Sequence, residues 1–230
     1  RNKTQSKLSV KVLKNGLPQL KNICATGLPS LMRQGLSSVS TMVLNNAAGI
    51  YGDAAVAGMT IVNRICFFIF AVGLGIGQGF QPVCSFNYGA KKYKRVKKGF
   101  FFTWGVGELL LSILAVIGLF MSDHLVGIFR DDPLVIEIGS FALKAQLIAL
   151  FFQPLSICCN MMFQSIGKNK IATFLSALRS GLVFIPVLIV LSNAFGLIGV
   201  QVSQAVTDVI TFFISMPFML SFFSGFKEEN

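Results

Sequence analysis

Polar side chains recur at helical spacing inside stretches that are otherwise apolar. Gln34, Ser38, Thr41 and Asn45 follow one another at steps of four, three and four. Gln146, Gln153, Asn160 and Gln164 keep nearly the same rule with Ser156 beside them, as do Gln201, Gln204, Asp208, Thr211 and Ser215. Such steps return to one face of an α-helix, so each set is a stripe. Facing lipid, a stripe would leave hydrogen bonds unmade; it must face another helix or a water-filled cavity. The chemistry on offer is hydrogen bonding, either as glue between helices or as the wall of a hydrophilic pathway. The expected wall is Gln34, Ser38, Thr41 and Asn45 together with Asn63, Gln153 and Asn160.

Four charges are expected near the middle of the same apolar stretches. Counted from one end of their spans, Arg64, Lys144 and Asp208 lie about ten or eleven residues in, roughly 15 Å at 1.5 Å per residue. Glu108 lies about nine residues from the opposite end of its span. A lone charge at that depth costs at least about 2.5 kcal/mol, whereas two cations and two anions can neutralise one another. The four serve either a structural ion-pair network or transport. Any proton or Na⁺ held at midplane in this chain would sit on Glu108 or Asp208, unless Arg64 or Lys144 ties that carboxylate up as a structural pair.

Catalysis finds no constellation. The single histidine, His124, falls in a connection between spans, and the carboxylates are not paired at catalytic spacing, so neither an enzyme nor a cofactor is expected. Cys24, Cys66, Cys84, Cys158 and Cys159 form no CxxC pair, which argues against a zinc site or a disulfide framework.

The elements that must position these residues are membrane helices. Apolar residues make up 53% of the 230 and charged ones 13%, with 23 phenylalanines and a mean hydropathy of +0.70, more apolar surface than a soluble protein of this size could hide. Stretches long enough to cross about 30 Å of hydrocarbon run over 27–50, 54–80, 99–121, 134–163, 171–191 and 197–223. The fold expected is all-α, a six-helix polytopic membrane bundle over 27–223, with a basic segment over 1–26 and a tail over 224–230. Asp53 is expected to cap the second helix, Asp132 with Pro133 the fourth, and Gly89 and Gly167 to end helices. Glycines 73, 75, 77 and 79 before Pro82, and Pro29, Pro154, Pro186 and Pro217 elsewhere, mark close packing or bends.

The net charge of +11 could suggest nucleic acid, but the basic residues lie between apolar runs and follow membrane topology instead. Five lysines precede the first span, Lys91, Lys92, Lys94, Arg95, Lys97 and Lys98 separate the second and third, and Lys168 and Lys170 the fourth and fifth. Those loops are expected to be cytoplasmic, with both ends inside, in a cell membrane. Residues 1–22 mix lysines with Leu and Val, as in an amphipathic stretch on the inner membrane surface or a solvated linker. The basic start lacks a signal-peptide core, and a first residue other than Met suggests a piece of a longer protein.

Gly27-Leu28-Pro29-Ser30 with Gln34, then Gly75-Ile76-Gly77-Gln78-Gly79-Phe80-Gln81-Pro82 running to Asn87-Tyr88-Gly89-Ala90-Lys91-Lys92 and Arg95, resembles the second half of the multidrug and toxic compound extrusion (MATE) transporters. Gln164-Ser165-Ile166-Gly167-Lys168, with Arg179 and Pro186 beyond it, is similar to the corresponding stretch of that family. The resemblance implies a twelve-helix antiporter of two six-helix bundles, exporting organic, often cationic and lipophilic compounds against a Na⁺ or H⁺ gradient. This chain would be the second bundle, and its partners the first bundle of the same polypeptide, small organic substrates and membrane lipid. Many members carry an acidic residue in the first helix of this bundle, where Arg33 and Gln34 stand here. In the similar bacterial branch the coupling aspartate lies in the first bundle. The competing expectations are a lipid-linked oligosaccharide flippase of the wider superfamily, which Arg64 and Lys144 would suit, and a structural half without transport of its own.

Overall fold

A computed structural model describes residues 17–226, so most of the segments 1–26 and 224–230 lie outside the described residues. The elements are α1 (Leu17–Gly49), α2 (Asp53–Gly89), α3 (Tyr93–Phe129), α4 (Pro133–Ala149), α5 (Gln153–Ser165), α6 (Asn169–Ala177), α7 (Phe184–Phe195) and α8 (Leu197–Ser224). A 3₁₀ turn at Leu150–Phe152 joins α4 to α5, and a π turn at Leu178–Leu182 joins α6 to α7. The described residues therefore traverse the bundle six times. Among the described residues, every pass but α1 is long and apolar enough to cross a membrane.

The helices outrun the apolar stretches that announced them. α2 and α3 each have 37 residues, about 55 Å, so their polar ends reach beyond a 30 Å hydrocarbon layer. Asp123 and His124, expected in a connection, lie instead in the last turns of α3. α1 starts at Leu17 rather than Gly27, with Pro18 in the first turn, where its missing N–H has no helical partner to lose.

The caps divide. Asp132 receives the Leu134 N–H at 3.1 Å ahead of Pro133, and Gly167 ends a helix at φ +77°. Asp53 does not cap α2: Gly52 occupies that position at φ +95°, and Asp53 is the first helical residue, where its charge complements the helix dipole. After Gly89 the left-handed conformation falls on Lys91 rather than on a glycine.

Two prolines explain the irregular turns. Pro154 has no N–H for the Leu150 carbonyl, and Gln153 bonds that carbonyl as the chain tightens to 3₁₀. Pro186 likewise cannot donate to Leu182, and Val183 N–H reaches back five residues to Leu178 at 2.9 Å.

Two apolar cores fill the bundle. At the end that holds the α1–α2, α3–α4 and α7–α8 connections, Leu44, Met59, Leu143 and Leu188 pack together. At the opposite end Phe80, Phe100, Phe163 and Phe222 pack edge to face, with Phe80 and Phe100 centred 6.3 Å apart. The glycine run of α2 splits between two faces. A Cβ on Gly73 or Gly77 would meet Ile157 or Met161 at 3.0 or 2.8 Å, so these two let α5 approach, whereas Gly75 and Gly79 face open space.

Candidate functional site

An open cavity of about 230 Å³ lies among α1, α2, α4, the π turn and α8. Of the stripe residues, Gln34 and Thr41 reach it from α1, Gln146 from α4, and Gln201 and Gln204 from α8, and the further expected wall residue Asn63 reaches it from α2. Phe67, Phe70 and Leu74 supply the apolar wall, and Arg33 and Arg179 the charge. A larger recess of about 450 Å³ lies at the aromatic end, beside Tyr88, Phe163, Lys168 and Phe222, but it gathers none of these polar residues.

Behind the cavity wall sits Asp208, whose side chain is wholly buried. Gln146 Nε2 donates to its Oδ2 at 2.6 Å and Gln153 Nε2 at 2.7 Å, while Arg179 Nε donates to Oδ1 at 2.6 Å. Arg179 is 22% exposed and stacks over Phe70, its guanidinium carbon 4.4 Å from the ring centroid. Burying the ion pair is costly, and the two amides offset that cost by satisfying the remaining carboxylate lone pairs. The π turn carries Arg179 and also accepts the Ser40 hydroxyl of α1 at the Ser180 carbonyl. An irregular turn thus ties α1, the fifth pass and α8 at one level.

Other expected wall residues fall elsewhere. Ser38 donates to the Gln34 carbonyl on an exposed face, and Asn45 is half-buried, its Oδ1 without a hydrogen bond among the described residues; neither reaches the cavity. Gln153 is buried within the Asp208 network. Asn160 donates to the Ala172 carbonyl and to Ser176 Oγ, both at 2.7 Å, which ties α5 to α6 beside a small recess under Arg179.

The four midplane charges do not form one network. Asp208 meets Arg179, while Lys144 meets Asp123 of α3 at 3.1 Å, both side chains exposed at the bundle surface. Arg64 is exposed beside Phe67 and Phe68, and Glu108 is half-buried on α3; neither makes an ion pair among the described residues. The separation follows from helix rotation: residues of equal depth meet only when their helices turn those faces together. The depth count applied to Arg179, ten residues into its pass, would have placed it level with Asp208.

The motif residues also converge. Gln81 Nε2 donates to Gln164 Oε1 at 3.2 Å, and Gln164 Nε2 to Ser30 Oγ and the Thr26 carbonyl at 3.2 Å, so α1, α2 and α5 are tied below the cavity. The MatE family model matches residues 29–190. The chain belongs to the MATE family. The multidrug export protein MepA of Staphylococcus aureus (strain bovine RF122 / ET3-1) is 28% identical over 204 residues, 87% of this chain and 44% of its own length. MepA of Staphylococcus haemolyticus is 27% identical over 216 residues, 94% of this chain and 47% of its own. An outward-facing multidrug resistance MATE transporter superposes with a TM-score of 0.83 at 18% identity, covering all of this chain and half of that one. The Vibrio cholerae MATE transporter VcmN in its bent form gives 0.82, covering 94% and 48%. This MATE chain spans about half the length of the curated relatives it matches and corresponds to the C-terminal half.

Proposed function

We propose that this chain, together with the remaining half of a complete transporter, exports organic compounds in exchange for Na⁺ or H⁺. The observation that carries this is the cavity itself, where aromatic and aliphatic walls meet several amide and hydroxyl groups. Such a surface holds varied amphipathic molecules without demanding one shape. The multidrug export named for the MepA relatives supports the same conclusion.

Asp208 is engaged by Arg179 and by the amides of Gln146, Gln153 and, at a long 3.5 Å, Gln204, so a coupling ion would have to displace four donors to use it. The coupling carboxylate is therefore assigned to the other half, with Asp208 organising the cavity wall. The lysine-bearing connection at 91–98 is assigned to the cytoplasm and both chain ends with it, in a multi-pass cell membrane protein. Arg33 and Arg179 in the cavity keep a lipid-linked phosphate as a second substrate class. The test is expression of the complete transporter in a bacterial strain lacking its own efflux pumps. Raised resistance to several chemically unrelated toxic compounds is expected; unchanged resistance at full membrane abundance would overturn the proposal.

A further inference from the structure

We infer that the cavity wall of this half receives an anionic group, so that its preferred ligands are anionic or zwitterionic aromatic compounds rather than simple lipophilic cations. The inference rests on the exporter proposal and deepens it. Among the described residues two guanidiniums, Arg33 and Arg179, line the cavity, and no carboxylate does. Asp208, the nearby acid, lies behind Arg179 with its side chain wholly buried and its oxygens occupied by Gln146, Gln153 and Arg179. It partly neutralises Arg179 but offers nothing to a cation in the cavity.

Arg33 is the stronger case. Among the described residues it forms no ion pair, and its hydrogen bond is a long one of 3.5 Å to Ser30 Oγ. A guanidinium within a membrane helix is costly unless it meets an anion or water, and it presents five donors in a planar fork that matches a carboxylate or phosphate. Phe70 lies against Arg179, and with Phe67 and Leu74 it provides a surface for an aromatic ring. The carboxylate of a bound compound would meet Arg33 while its rings rest on this wall. A lipophilic cation in the same place would face the unpaired charge of Arg33, with Arg179 only partly neutralised beside it.

The test uses the complete transporter in nanodiscs and two xanthene dyes of matched ring system, anionic fluorescein and cationic rhodamine 6G, with binding read by fluorescence anisotropy. A charge-assisted hydrogen bond contributes about 1.5–3 kcal/mol, so Arg33→Gln is expected to weaken fluorescein binding about tenfold or more. Rhodamine 6G binding should be unchanged or tightened, which also shows the variant to be folded. Arg33→Lys, which keeps the charge and loses the fork, should fall between wild type and Arg33→Gln. Equal loss of both dyes, or no change in fluorescein binding, overturns the inference, as does fluorescein failing to bind wild type. Export of rhodamine 6G from cells is measured separately: export without Arg33-dependent fluorescein binding leaves the exporter proposal standing and removes this one, and absence of both removes both.

Discussion

Replacing Asp208 by Asn keeps the shape of the side chain and removes its charge, which isolates what the carboxylate does. In the folded protein it accepts from Gln146, Gln153 and Arg179 at 2.6–2.7 Å, all inside the bundle. The new amide nitrogen cannot accept, and Arg179 loses its counter-ion. The remaining amide oxygen still accepts, so one or two of these bonds are lost, and at an average of about 0.6 kcal/mol per hydrogen bond within membrane proteins that gives about 1 kcal/mol as a floor. Breaking a buried ion pair costs about 3–5 kcal/mol in soluble proteins, and Arg179 recovers some hydration because it borders the cavity. A loss of about 1–4 kcal/mol follows, enough to lower membrane abundance several-fold. Removing both charges with Asp208→Asn and Arg179→Gln should restore part of the loss, with a coupling of at least about 1 kcal/mol in the double-mutant cycle. Thermal unfolding in detergent gives the stability and surface-labelled protein the abundance, while efflux is divided by inserted molecules. Wild-type abundance with abolished ion-driven efflux would refute the structural role and make Asp208 a coupling residue.

Other outcomes follow from the packing and the charges. Gly77→Ala should lose about 1–3 kcal/mol against Met161 and Ile157, while Gly75→Ala, facing open space, should unfold at the wild-type temperature; equal loss at both would contradict the split of the glycine run. Gly199→Ala should be more damaging still, because its Cβ would strike the Leu191 carbonyl and backbone cannot yield as a side chain can. Lys144→Gln should shift stability by less than about 1 kcal/mol, since both partners of the Lys144–Asp123 pair are exposed; a larger loss measured by thermal unfolding would place that pair under load. In a cysteine-free background, single cysteines at Asp53, Asp131 and Asn193 should react with an impermeant thiol reagent in intact cells and one at Lys94 should not; the opposite pattern inverts the topology.

Periodicity and composition made the six passes legible, because apolar length is fixed by the bilayer and the polar steps of three and four by the helix. Their ends were less legible. Hydropathy falls where a helix enters the headgroup region, although the hydrogen-bonded backbone continues, so α3 ran on through Asp123 and His124. The stripes carry no information about which neighbour each polar group meets: Gln34 and Thr41, with Asn63, lie at the cavity, Gln153 bonds Asp208, and Asn160 bonds Ser176 at the edge of the small recess beside Arg179. Counting depth paired Asp208 with Arg64 and Lys144, since depth carries no information about rotation about the helix axis. The π turn that presents Arg179 depends on Pro186, whose presence signalled a bend but not which neighbour it would re-aim.

Transport by the purified complete protein in sealed liposomes tests the central proposal most directly. With a fluorescent organic compound on one side, an imposed Na⁺ or H⁺ gradient should drive its accumulation, and collapsing that gradient should abolish the movement. Compound movement that is indifferent to both gradients, from protein demonstrably inserted and folded, would contradict an exchange transporter.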